Sequence, residues 1–156
     1  MLAIFFLAAI VSILQFTAVT YTRAGHFTFD LQMIVLVFFG LRYGIQRGLF
    51  LGALFGIFNG IFSINPFWVS VILYPAIGAV VGYLSKWFYK ESPVVFILMV
   101  LCSLFFAYSV GYVLKPAYAQ AYIGFPGYFF RLLLPNAVYN MVISIFLFYF
   151  LRELKI

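Results

Sequence analysis

Acidic residues are almost missing from this chain of 156 residues: Asp30, Glu91 and Glu153 are all there are, beside one histidine, His26, and one cysteine, Cys102. A hydrolytic triad needs a nucleophile, a base and an orienting group together, and a proton relay or transport path needs several carboxylates or histidines inside the bundle. Neither can be assembled from this set. His26 and Asp30 stand four apart, so a metal pair is conceivable if the helix there begins early, but no third ligand is identifiable. No phosphate loop, carboxylate dyad or zinc motif is present. A lone cysteine inside an apolar run supports neither a disulfide framework nor a thiolate cluster within one chain. The expectation is a protein without enzymatic activity, cofactor or metal.

Charge of either sign is scarce as well. Charged residues make up 8% of the chain, against about a quarter in soluble domains, while 67% are hydrophobic and the mean hydropathy is +1.18. Such a sequence is written for lipid. A β-barrel would alternate apolar and polar residues in short segments, whereas the apolar runs here are continuous and often near the ~20 residues of a spanning helix. The net charge of +6 would suggest nucleic acid in a soluble protein. Here the basic residues sit singly at the ends of apolar runs, the position of membrane anchors facing anionic headgroups, so no nucleic-acid partner is expected.

Charges and turn formers cut the chain into six apolar segments, about 1–20, 27–41, 48–64, 67–87, 94–114 and 132–151, which predict one all-α bundle of six transmembrane helices in a single domain. The uncharged first segment lacks the basic start of a secretory signal and reads as a retained helix. With the N-terminus inside, one side holds Arg42, Arg47, Lys86, Lys90, Arg152 and Lys155, and the other holds Arg23, Lys115 and Arg131. That asymmetry predicts both termini in the cytoplasm. The one sizeable outer connection, 115–131, is rich in Tyr and Phe and is expected at the membrane surface, against lipid or protein.

Glycine spacing is the strongest internal pattern. Gly40, Gly44, Gly48, Gly52, Gly56 and Gly60 recur every fourth residue, and Gly78 and Gly82 repeat the device on the fourth helix. Without a hydrophobic drive between helices in lipid, such rows let backbones approach closely, either inside the bundle or on a surface that receives another protein. Asp30, near a helix start, is expected to cap it or to pack there, and Asn59, Asn136 and Asn140 to hydrogen-bond between helices. Arg42, Arg47, Lys86 and Lys90 form a basic cytoplasmic face, read as membrane anchors or as a docking face for a cytoplasmic partner.

The order of these residues is familiar. Asp30-Leu31 before an apolar helix, Gly40 to Gly48 as GLRYGIQRG, Gly52 to Gly60 as GALFGIFNG, Gly78 to Gly82 as GAVVG before a basic loop, and Leu134 to Asn140 as LPNAVYN together resemble the bacterial rod shape-determining MreD family. Family members often carry an acidic residue where this chain has Asn59, and Pro where it has Phe29. The resemblance implies a scaffold subunit of the peptidoglycan elongation machinery in the bacterial inner membrane. Its implied partners are MreC and, through it or directly, MreB, RodA and the penicillin-binding partner of RodA. In fold, the family is similar to the substrate-binding S-components of energy-coupling-factor vitamin transporters, which supplies the alternative function.

Overall fold

The structure, a computed structural model, describes residues 2–22, 30–62, 67–88, 92–114 and 124–153. Among these, helices account for nearly every residue and no strand occurs: α1 is Leu2–Thr22, α2 Leu31–Tyr43, α3 Ile45–Phe62, α4 Phe67–Leu84 and α5 Pro93–Val113. A short helix, α6 (Phe125–Tyr128), runs through a π turn (Phe129–Leu133) into α7 (Leu134–Glu153). Helices satisfy backbone N–H and C=O groups internally, the condition lipid imposes on any spanning segment. Among the described residues four stretches are long and apolar enough to cross a membrane, Ile45–Phe62, Phe67–Leu84, Pro93–Val113 and Pro126–Glu153.

The shortest of the long helices sits at the centre. α2 has 13 residues, about 20 Å of helix against a hydrocarbon core of ~30 Å. Every residue from Leu31 to Leu41 is buried, and the helix packs against α1, α3, α4, α5 and α7. Its Phe38 ring meets Phe96 of α5 at 6.1 Å and Phe148 of α7 at 6.4 Å, both edge-on, the geometry the ring quadrupoles favour.

One residue separates α2 from α3. Gly44 adopts φ 82° and ψ −170°, a region essentially closed to side chains with a Cβ, and so reverses the chain on the spot. Its N–H donates to the Gly40 carbonyl at 2.9 Å, and its own carbonyl accepts from the Gly48 N–H at 3.0 Å. The glycine row is thus split at the turn, with Gly40 on α2 and Gly48 to Gly60 on α3.

α3 and α4 form the most extensive helix pair, and their backbones touch. A Cβ on Gly56 would lie 2.6 Å from the Ser70 carbonyl oxygen, and one on Gly52 would lie 2.5 Å from that of Tyr74 and 2.8 Å from Pro75 Cα. Gly48 and Gly78 face each other, each leaving room only for the other's carbonyl. Gly60 abuts Phe67, and Gly82 lies against Ile45 at the head of α3. The glycine face of α3 is therefore filled by α4 of the same chain.

α5 and α7 meet differently, through large rings: Phe96 and Phe148 lie 5.2 Å apart, and Tyr112 of α5 and Tyr128 of α6 lie 4.9 Å apart. The π turn has a local cause. Pro135 has no N–H to offer the Arg131 carbonyl, and its ring crowds that carbonyl. Just before it the ladder widens, with the Leu134 N–H bonded to the Phe129 carbonyl. Helical structure accordingly begins at Phe125 rather than near Leu132, and it takes in the second half of the connection expected at the membrane surface. The first half of that connection, 115–123, lies outside the described residues.

Candidate functional site

A polar layer surrounds the start of α2. Asp30 is its N-cap, accepting from the Met33 N–H through Oδ1 at 3.1 Å, as a short side chain at a helix start does. Two neighbouring donors are taken by other helices. The Asp30 N–H donates to Asn140 Oδ1 of α7 at 2.9 Å, and the Leu31 N–H to Gln15 Oε1 of α1 at 2.6 Å. Asn140 is fully buried and spends its amide N–H on the Asn136 carbonyl at 2.9 Å. Three elements thus satisfy N–H groups at a helix start that would otherwise be orphaned in an apolar interior.

A second chain of bonds runs from Gln32, itself fully buried. Its Nε2 donates to Ser12 Oγ of α1, and its Oε1 accepts from Asn59 Nδ2 of α3, both at 3.0 Å. Asn59 Nδ2 also donates to the Tyr74 hydroxyl of α4 at 3.0 Å, while Ser70 Oγ donates to Asn59 Oδ1 at 3.3 Å. One line of amides and hydroxyls therefore crosses α1, α2, α3 and α4. Each amide hydrogen bond satisfies a group that would be costly to leave bare in lipid. The amides and hydroxyls of this line are neutral and bonded to one another, and the Asp30 carboxyl caps α2, so these bonds of the layer fix the positions of helices.

Of the residues singled out in the sequence, the layer brings together the side chains of Asp30, Asn59 and Asn140, while Asn136 takes part through its backbone carbonyl, within α7. Ser12, Gln15, Gln32, Ser70 and Tyr74 join them without having been anticipated. A signal existed for two: Gln15 and Gln32 are amides inside runs otherwise suited to lipid, where a polar side chain is expensive unless partnered. Ser and Tyr carry no such signal. His26 lies outside the described residues, and among the described residues no group of three or more His, Cys, Asp or Glu side chains is gathered for a metal.

The opposite end of the bundle is basic. Arg42 closes α2, Arg47 opens α3, Lys86 follows α4, and all three are exposed. Each head lies over a ring of its own helix or turn: Arg42 over Phe38 at 6.0 Å, Arg47 over Tyr43 at 4.7 Å, and Lys86 over Tyr83 at 5.7 Å. Lys90 lies outside the described residues.

A model of the family described as rod shape-determining protein MreD matches residues 1–155, which takes in the polar layer, the glycine-joined hairpin and the basic end. The chain belongs to the MreD family. Searches of curated proteins and of solved structures give no match. As an MreD-family member with, among the described residues, four helices suited to crossing a membrane, it is a rod shape-determining membrane protein.

Proposed function

We propose that this MreD-family chain is a non-enzymatic scaffold of the elongation machinery, tying MreC, and with it MreB, RodA and its penicillin-binding partner, to the inner membrane. The family match over residues 1–155 carries this reading. The polar layer supports it. A transport subunit needs polar groups aimed at a ligand, whereas Gln32, Asn59 and Asn140 are spent on bonds between helices. In this reading the chain is one bundle of six crossings, like a transporter S-component in shape but not in use. The basic end, with Arg42, Arg47, Lys86 and Lys90, faces the cytoplasm together with both termini.

Co-expression with tagged MreC tests the scaffold. The chain should co-purify with MreC from detergent and restore rod shape to cells depleted of their own MreD. Binding to a vitamin-transport energy module in place of MreC would overturn the reading. Orientation has its own check in a Cys102→Ser background. An impermeant maleimide should label Tyr122→Cys in intact cells and leave Tyr89→Cys unlabelled, and the reverse pattern would invert the topology.

A further inference from the structure

The helices after α4 are held unevenly along their length. α5 and α7 pack chiefly on each other and on α2, with a slighter contact between α4 and α5, and among the described residues neither packs to that extent on α1 or α3. The buried residues of α5 lie between Phe96 and Leu104, the half towards the basic end, where Phe38, Phe96 and Phe148 form one cluster with ring centroids 5.2 to 6.4 Å apart. The chain also crosses from α4 to α5 at that end. From Phe105 to Leu114 no residue of this segment is buried, and among the described residues a Cβ on Gly111 would meet nothing within 4 Å. Tyr112 stacks on Tyr128, whose hydroxyl donates to the Tyr108 carbonyl at 3.3 Å. The far half of α5 is thus tied to α6, within its own group of helices.

At the polar-layer end, α7 is joined to α2 by the bond from the Asp30 N–H to Asn140 Oδ1. Apolar helix faces that part in lipid exchange contacts with each other for contacts with acyl tails, whereas a backbone N–H left bare there is costly. That bond is therefore the tie that has to break. We propose that α5, α6 and α7 form a side gate on the bundle, hinged on the Phe38, Phe96 and Phe148 rings and latched by Asn140 on the Asp30 N–H. Rings in an edge-on cluster can roll over one another with a change of rotamer, a freedom that the glycine-joined α3 and α4 do not have. Opening uncovers the flank of α2 next to Asp30, and whatever binds the open arrangement better shifts the balance towards it. The gate is independent of which proteins the chain assembles with.

Distances between pairs of spin labels test it in the full chain, reconstituted in lipid nanodiscs in a Cys102→Ser background. All label sites are exposed. At the polar-layer end Ile61→Cys of α3 is paired with Val113→Cys of α5 and, separately, with Val138→Cys of α7. Leu49→Cys with Val94→Cys reports the hinge end, and Ile57→Cys with Ile72→Cys reports the hairpin. Adding Asn140→Leu should lengthen both polar-layer distances by several ångströms and leave the hinge and hairpin distances as they were. No lengthening in a variant whose hairpin distance is intact would overturn the proposal. Lengthening at the hinge end as well would mean that the helices part bodily, and movement of Val113 without Val138 would mean that α5 frays alone; either result overturns it too. If Asn140→Leu alters the hairpin distance, warming the unmodified chain decides, since a gate lengthens the two polar-layer distances ahead of the others and simultaneous change in all four would rule it out.

Discussion

The α3–α4 hairpin and the α5–α7 pair solve the same problem in opposite ways. Between α3 and α4 the side chains are removed, so that Gly48, Gly52 and Gly56 set backbone against backbone and carbonyls of α4 fill the groove. Between α5 and α7 bulky rings such as Phe96 and Phe148 keep the backbones apart, and large apolar side chains on both helices, among them Leu98, Phe106, Phe146 and Phe150, face outward. Dispersion between close backbones leaves no freedom to adjust, because each contact is fixed by atoms without rotamers. Ring contacts can be remade by a change of rotamer. The hairpin is therefore the rigid part of the molecule, and substitutions should hurt it far more than the other pair.

The largest effect is expected at Gly56. Leucine there has to displace the Ser70 carbonyl and Val71 Cα, neither of which can rotate away, so Gly56→Leu should cost roughly 3 kcal/mol or more and appear as lost abundance in membranes and a lower melting temperature in detergent. Ile57→Leu, at an exposed position on the same helix, is the control and should change neither. Normal abundance of Gly56→Leu would mean that the two helices separate freely, and the contrast drawn between the pairs would not stand.

How far this contrast is readable in the sequence differs by element. The four-residue glycine spacing on α3 is plain, and so is its echo at Gly78 and Gly82. The break between α2 and α3 is legible as well, because Arg42 and Arg47 interrupt the apolar runs that end near 41 and resume at 48. What the even glycine spacing does not single out is Gly44 as the one residue whose backbone angle turns the chain. The polar layer was half legible. Asp30, Asn59 and Asn140 stand out because they are polar in apolar surroundings, but that Asn140 meets the Asp30 N–H depends on how helices far apart in the chain are placed, which no local pattern encodes. Likewise Pro135 announces a broken ladder, yet whether the repair is a kink or a π turn is decided by the packing around it.

Next in size should be Asn59→Leu, which tests whether the rigid hairpin also depends on its polar tie to α1 and α2. The substitution strands the Gln32 Oε1 acceptor and removes the partner of Tyr74 and Ser70. Interhelical hydrogen bonds in membranes average about 0.6 kcal/mol each, and a buried acceptor left bare adds to that, so a loss of roughly 1–2 kcal/mol is expected in thermal denaturation. Asn59→Gln, which keeps the amide, should recover part of it. Equal melting temperatures for Asn59→Leu and the unmodified chain would show that the layer is held by packing alone.

Asp30 separates the capping role from the charge. Asparagine caps a helix about as well as aspartate, while alanine forfeits about 1 kcal/mol. Asp30→Asn should therefore keep both thermal stability and rod-shape complementation, and Asp30→Ala should lose stability by about that amount. A variant Asp30→Asn that is made at normal levels and yet fails to restore rod shape would show that the carboxylate acts in its own right, and the polar layer would then be more than a fixing point.

The smallest effect, and the one with the opposite sign, belongs to Gly111 on α5. Among the described residues a Cβ built there meets nothing within 4 Å, so none of them needs this glycine in order to be admitted, unlike the neighbours of the α3 glycines. In a helix interior glycine is less favourable than alanine by roughly 0.5–1 kcal/mol, since it leaves more backbone freedom to be lost on folding. Gly111→Ala should accordingly leave stability unchanged or raise it slightly, whereas Gly78→Ala, the same added methyl driven onto the Gly48 carbonyl, should lower it clearly. Measured side by side in one detergent, the two variants differ only in what the methyl meets. If Gly111→Ala also proved destabilising, α5 would have to pack closely at that point against something beyond the described residues, and that side of the comparison would not be loose there.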